Sequence, residues 1–228
     1  MKNNTNKAVV LLSGGLDSAV CLYEAKNLGY QIITLTFNYG QKHDIELQYA
    51  KNLAKNISAI ESIVFNLNLS LIGKSSLTDN IEIPKHRENI HEKNNIPNTY
   101  VPGRNIIFLS MAAALAESRD CQNIFIGVNQ MDYSGYPDCR IDFIKSFQEM
   151  LALGTKSGIE EKPITIHTPL IYLTKSEIIK KAASLNVPVQ QTWSCYDPQK
   201  TNDGTFLPCL SCDSCILREK GFKEAEIS

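Results

Sequence analysis

The sequence predicts an α/β protein, a doubly wound parallel sheet with a small cysteine-rich segment at its C-terminal end. Two observations carry that reading. Apolar runs of strand length alternate with helical stripes along most of the 228 residues, an order that builds a parallel sheet through crossover connections. Four of the 7 cysteines then crowd together as Cys195, Cys209, Cys212 and Cys215. Length allows one large domain with an appendage, and the division is placed at residues 1–190 and 191–228.

The elements follow in order. Ala8–Leu12 is a solid apolar strand that runs into SGGLDS, Ser13 to Ser18. Asp17–Leu28 is a helix striped by Ala19, Leu22, Tyr23, Ala25 and Leu28, with Gly29 at its C-terminal cap. Ile32–Phe37 is the second strand, and Ile45, Tyr49, Leu53 and Ile57 stripe a helix over Asp44–Ile57. Ile60–Phe65 is the third strand. Asn66 to Gly103 is polar and aperiodic, as functional loops, lids and inserts are. Asn105–Glu117 is an alanine-rich helix apolar enough to be buried on much of its surface. Ile124–Val128 is a strand, Asp142–Leu153 a helix and Ile164–His167 a strand. Thr174-Lys175-Ser176-Glu177 is a capping box that opens a helix to about Leu185.

Composition narrows the function classes. The chain is 43% hydrophobic and 21% charged, as globular proteins are. A net charge of −1 lacks the basic excess of a nucleic-acid binder. No apolar stretch approaches a membrane span, and the run in MKNNTNKAVVLL is too short for a signal peptide. These features place the protein in the cytoplasm, with no nucleic-acid or membrane partner. There the odd number of cysteines reads as reduced thiols and metal ligands.

SGGLDS sits where a doubly wound sheet binds its ligand, at the C-terminal end of a strand. Adjacent glycines turn tightly and leave no Cβ in a ligand's way. The helix that follows offers unpaired N–H groups and a positive dipole end, which suit an anion. Ser13 and Ser18 can donate further hydrogen bonds. The alternative is an ordinary strand-to-helix turn with a side-chain cap. At the other end of the chain, CLSCDSC holds two overlapping C-x-x-C units. Four thiolates close a tetrahedral zinc shell, so that one zinc ion would be structural. A redox pair or an iron–sulfur cluster is the alternative, and the local quartet favours zinc.

SGGLDS after an apolar strand resembles the SGGxDS loop of the ATP pyrophosphatases. FNYGQKH (Phe37–His43), TYVPGRNIIFLS (Thr99–Ser110), IGVNQMDYSGYPDCR (Ile126–Arg140), HTPLIYLTKSEII (His167–Ile179), WSCY (Trp193–Tyr196) and CDSCILREKGF follow in order. Together they resemble the 7-cyano-7-deazaguanine synthase family over Ala8 to Phe222. Two departures stand out: Leu210 replaces the usual glycine between the metal cysteines, and the Cys195–Cys209 spacing is longer than in some members.

The resemblance implies an adenine nucleotide alpha hydrolase-like fold and an ATP-dependent ligase of queuosine biosynthesis. Its substrates are 7-carboxy-7-deazaguanine, ammonium and ATP with Mg2+, and its intermediates an adenylated carboxylate and an amide. A homodimer is expected, and the cysteine spacing points to a zinc ion held by Cys195, Cys209, Cys212 and Cys215. Ser13, Gly14, Gly15, Leu16, Asp17 and Ser18 would hold the nucleotide phosphates, with Leu12, Ala19, Val20, Cys21 and Leu22 completing the loop. Asp17 would serve the magnesium or phosphate network, and Arg104 and Lys175 would supply cations. Asp132, Asp138 and Arg140 either read the deazaguanine edge or form turns around Gly135 and Pro137. Tyr133 or Tyr136 would stack on the heterocycle or pack in the core, and His43 would reach the site. His86, His91 and His167 have structural or surface positions. Two rivals remain: a tRNA-modifying thiolase, which needs an RNA-binding surface, and a zinc-stabilised nucleotide-binding regulator without turnover.

Overall fold

The computed structural model describes residues 6–42, 45–87, 96–131 and 135–227. Its sheet has five strands: β1 (Lys7–Leu11), β2 (Gln31–Asn38), β3 (Glu61–Asn66), β4 (Asn123–Phe125) and β5 (Thr165–His167). They lie in the order β3-β2-β1-β4-β5, every pair parallel. Val9 of β1 sits opposite Ile33 of β2 on one side and Ile124 of β4 on the other. The chain leaves β1 toward one edge and returns beside it as β4. The crevice beyond their C-terminal ends is therefore the topological switch of the sheet.

Six helices flank or follow these strands: α1 (Leu16–Asn27), α2 (Ile45–Asn56), α3 (Arg104–Ser118), α4 (Ile141–Gly154), the single turn α5 (Lys156–Ile159) and α6 (Lys175–Ser184). The solid apolar run of β1 is explained by burial on both faces. Val9 and Leu11 join Ile33, Leu35, Leu109 of α3 and Phe147 of α4 in one core layer. Ala8 and Val10 join Ile32, Leu22 of α1, Leu53 of α2 and Ile178 of α6 in the other. Two hydroxyls on β2 enter the second layer without cost because both are satisfied. Thr34 Oγ1 donates to Ser62 Oγ at 2.9 Å and Thr36 Oγ1 to the Leu12 carbonyl at 2.8 Å.

One expectation needs correction. The fourth strand stops at Phe125 rather than Val128, because Ile126 to Asn129 leave the sheet to line the crevice. Helix α3 is buried on much of its surface, as expected, with Ile106, Ser110 and Ala114 forming its exposed row. The described part of the segment 66–103 is mostly irregular, as expected, and packs against the domain. Ser75, Ser76, Leu77 and Thr78 are buried, Lys42 N donates to Leu77 O, and Ser76 N donates to Asn98 O.

The C-terminal part has more structure than its cysteines suggested. A short hairpin, β6 (Gln199–Lys200) with β7 (Phe206–Leu207), precedes the 13-residue helix α7 (Asp213–Ala225). Cys212 is the residue before α7, and the helix packs on α6, with Ala225 entering the core beside Ile178 and Ala182. Gly221 permits the approach: a Cβ there would lie 2.4 Å from Lys175 Cγ and 2.9 Å from Ile179 Cδ1.

Candidate active site

The crevice beyond β1 and β4 is a cleft of about 250 Å³, walled by Leu12, Ser13, Gly15, Leu16, Asp17 and Ser18 on its loop side. The serines close the loop on itself. Ser18 Oγ donates to Gly15 O at 2.9 Å and accepts from Ser13 N at 3.2 Å. Its one proton is therefore spent, and Ser13 Oγ must donate across the 3.0 Å contact while accepting from Gly15 N. Gly14 takes the left-handed φ of +90°, and a Cβ there would lie 2.3 Å from the Glu46 carbonyl oxygen. The loop thus rests directly on the first turn of α2. Helix α1 starts at Leu16 with no side-chain cap, leaving its first N–H groups toward the cleft.

Lys175 is the first residue of α6, whose capping box is formed by Thr174 and Glu177 as expected. Its ammonium reaches both Asp17 oxygens, at 2.8 and 3.0 Å. A cation at a helix start opposes the dipole, and the pairing with Asp17 offsets that. Ala19, Val20, Cys21 and Leu22 are fully buried in the body of α1 and do not line the cleft, because they face the second core layer.

Arg104 opens α3 on the opposite wall. Burial works against its charge, but Tyr39, Asp138 and Tyr136 more than compensate, so its pKa stands above the ordinary guanidinium value. Asp138 is buried, and its carboxylate accepts from Asn105 N at 3.1 Å, supplying the cap that Gly103 lacks. The structure therefore gives Asp138 the work of holding Arg104 and the start of α3. Arg140 is exposed and outside the cleft wall. Tyr136 is buried and shares a 2.6 Å hydrogen bond with Thr99. His167 stacks on Phe125, 4.4 Å between centroids, and contacts Asn123 Oδ1 at 2.9 Å, a structural position. His43, His91, Asp132 and Tyr133 lie outside the described residues.

Three charged wall residues were missed by sequence reasoning: Lys42, whose ammonium donates to Ile81 O at 2.7 Å, Glu46 and Arg218. Glu46, in the first turn of α2, has its carboxyl raised to about 7 by burial, against the opposing pull of Arg104. Arg218 of α7 donates to Thr192 Oγ1 at 2.9 Å, Ser194 Oγ at 3.1 Å and Val189 O at 2.8 Å. Burial lowers its pKa, while Asp17 and Cys215 act the other way. The only sequence signal for Arg218 was its place in CDSCILREKGF. Cys139 also borders the cleft, and burial pushes its thiol up to about 12, which leaves it neutral.

The four C-terminal cysteines converge, with all sulfurs within 4.8 Å of one another. A tetrahedral zinc site with Zn–S bonds of about 2.3 Å has S–S edges of about 3.8 Å, so the donor set fits. Backbone amides point at the sulfurs: Asp197 N and Cys209 N at Cys195 Sγ, Tyr196 N at Cys212 Sγ, and Cys212 N at Cys209 Sγ. Such donors favour thiolates. The module joins the cleft through Trp193, whose indole N–H donates to Cys195 O at 3.0 Å and whose backbone N–H donates to Gly14 O at 2.9 Å.

The family model described as "Queuosine biosynthesis protein QueC" matches residues 7–226. A 7-cyano-7-deazaguanine synthase from Desulfatibacillum aliphaticivorans is 52% identical over 222 residues, 97% of this chain and 94% of that protein. One from Rhodopirellula baltica (strain DSM 10527 / NCIMB 13988 / SH1) is 49% identical over 229 residues, 100% of this chain and 91% of that one. Among solved structures, NMN synthetase from Francisella tularensis aligns with a TM-score of 0.50 at 13% identity, over 99% of this chain and 89% of that one. That likeness is one of fold, the adenine nucleotide alpha hydrolase type.

Proposed function

The chain belongs to the QueC family of queuosine biosynthesis proteins, and on that premise we propose how its cleft turns 7-carboxy-7-deazaguanine, ammonia and ATP into 7-cyano-7-deazaguanine. It is an enzyme, a 7-cyano-7-deazaguanine synthase. A carboxylate is a poor electrophile, so its oxygen is first activated by adenylation. Ammonia then displaces AMP to give the amide, whose oxygen is activated in turn and expelled as the nitrile forms. The loop Ser13 to Ser18 holds the pyrophosphate of ATP against the amides of α1. Lys175 and Arg104 neutralise charge developing on phosphorus, a preorganised stabilisation. Arg218 adds a third cation from α7. Asp17 positions Lys175, and it is the residue that would help hold Mg2+, which would neutralise phosphate charge.

The observation that supports this reading best is the Lys175–Asp17 pair, which ties the start of α6 to the glycine loop at 2.8 Å. Cys195, Cys209, Cys212 and Cys215 would hold zinc, whose chemistry there is structural: it closes the fold of residues 191–228 on the domain formed by 1–190. The base edge is read by residues between Asp132 and Arg140, and the working form is a cytoplasmic homodimer. Mass spectrometry of the protein with ATP, Mg2+, ammonium and 7-carboxy-7-deazaguanine tests the proposal. The nitrile is expected in the wild type, and neither amide nor nitrile without ATP. Nitrile formation at an undiminished rate by Asp17→Ala would refute the assignment of the loop.

A further inference from the structure

We infer that Glu46 is the residue that receives ammonium in the cleft and takes its proton, delivering ammonia to the activated carboxyl carbon. This deepens the reading just given and rests on it. Ammonium carries no lone pair, so the nucleophile exists only after a base has removed a proton. The described wall of the cleft holds two carboxylates, Asp17 and Glu46. Asp17 is engaged at both oxygens by Lys175. The Glu46 carboxylate makes no hydrogen bond and no ion pair among the described residues; the charge acting on it is that of Arg104, at longer range. Arg104 in turn is surrounded by Tyr39, Asp138 and Tyr136. A half-buried carboxylate facing a cleft without a protein partner suits a small cation.

Position supports the same assignment. Backbone packing, and not the carboxylate, fixes Glu46: its carbonyl oxygen lies where a Cβ of Gly14 would be, 2.3 Å away. The side chain therefore starts beside the loop that holds the phosphates, and it is free to serve a ligand. Burial sets its carboxyl at about 7, where it can both accept and release a proton near neutrality.

Glu46 carboxylate and ammonium give the carboxylic acid and ammonia. The ammonia lone pair forms the C–N bond, and the C–O bond to AMP breaks, AMP leaving with the electron pair. The nitrogen then sheds one proton to solvent, as does the Glu46 acid, and the amide remains.

The test compares the wild type with Glu46→Gln in three assays: pyrophosphate exchange into ATP driven by 7-carboxy-7-deazaguanine without a nitrogen donor, amide formation from ammonium, and hydroxamate formation from hydroxylamine. Hydroxylamine is largely neutral at pH 7 and needs no base to free its lone pair. The variant is expected to keep exchange and hydroxamate formation within about threefold and to lose about 100-fold in kcat/KM for ammonium. Equal losses in all three assays, or an unchanged kcat/KM for ammonium, would overturn the assignment. If E46Q folds poorly, E46D is read in the same way: a raised ammonium KM with intact exchange supports the role, and a uniform loss overturns it. Absence of exchange in the wild type would overturn the underlying reading of the cleft, and this inference with it.

Discussion

Leu210 holds a left-handed φ of 60° with its side chain 68% exposed, in the turn between Cys209 and Cys212. A branched L-residue in that conformation costs about 1–2 kcal/mol, and Leu210 has no burial to set against it. Leu210→Gly is expected to raise the thermal midpoint, by about 1 kcal/mol of stability, with metal content unchanged. Glu46 makes a second prediction. Folding lifts its carboxyl from 4.5 to about 7 through burial, so the native state binds that proton more tightly than the unfolded chain. The stability this group contributes is therefore complete below its unfolded value and is lost as pH rises through about 7. Glu46→Gln, which mimics the protonated form beside Arg104 and Tyr39, should melt higher than the wild type at about pH 8 and level with it at about pH 4. Calorimetry at the two pH values decides it. At this scale the sequence was legible where chemistry is local: Ser13 to Ser18, Lys175 in its capping box and the four cysteines each carry a short signature. Glu46 and Arg218 carry none, because their place in the cleft depends on where α2 and α7 come to rest.

Helix α7 links the metal module to the cleft. Cys212 caps its start, its first turn holds Cys215, and the next turn presents Arg218 to the cleft wall. One turn further, Gly221 leaves room for the Lys175 stem, where a Cβ would come within 2.4 Å of Cγ. Gly221→Ala should push Lys175 from Asp17 while the helix still forms, since alanine is the better helix residue. The expected outcome is a fall of about 100-fold in kcat with far-UV circular dichroism unchanged. Unaltered kcat would show that Lys175 tolerates displacement. Helix α7 was the element least visible in the sequence, since its interior glycine and its charged residues mask the helical stripe. The strands and helices of the sheet were visible because their apolar periods are set by two core layers. β4 was drawn three residues too long, where apolar residues line a cleft instead of a sheet.

For the molecule as a whole, the four-cysteine module and the glycine loop are one mechanical unit. Trp193 joins Cys195 to the Gly14 carbonyl, and Arg218 ties α7 to the same segment through Thr192 and Ser194. Stripping the metal with a chelator, or replacing Cys212 with Ser, is expected to lower the melting temperature and abolish ATP-dependent turnover together. Turnover that persists in metal-free protein would separate the two. The central claim is that a single phosphate loop activates both the carboxylate and the amide. Its most direct test supplies the amide intermediate itself, with ATP and Mg2+, to the wild type and to Asp17→Ala, and follows nitrile formation by mass spectrometry. The account predicts that the wild type converts the amide and that Asp17→Ala loses this step to the same extent as it loses amide formation from the carboxylate. Amide conversion that survives in Asp17→Ala, while carboxylate activation is lost, would contradict it.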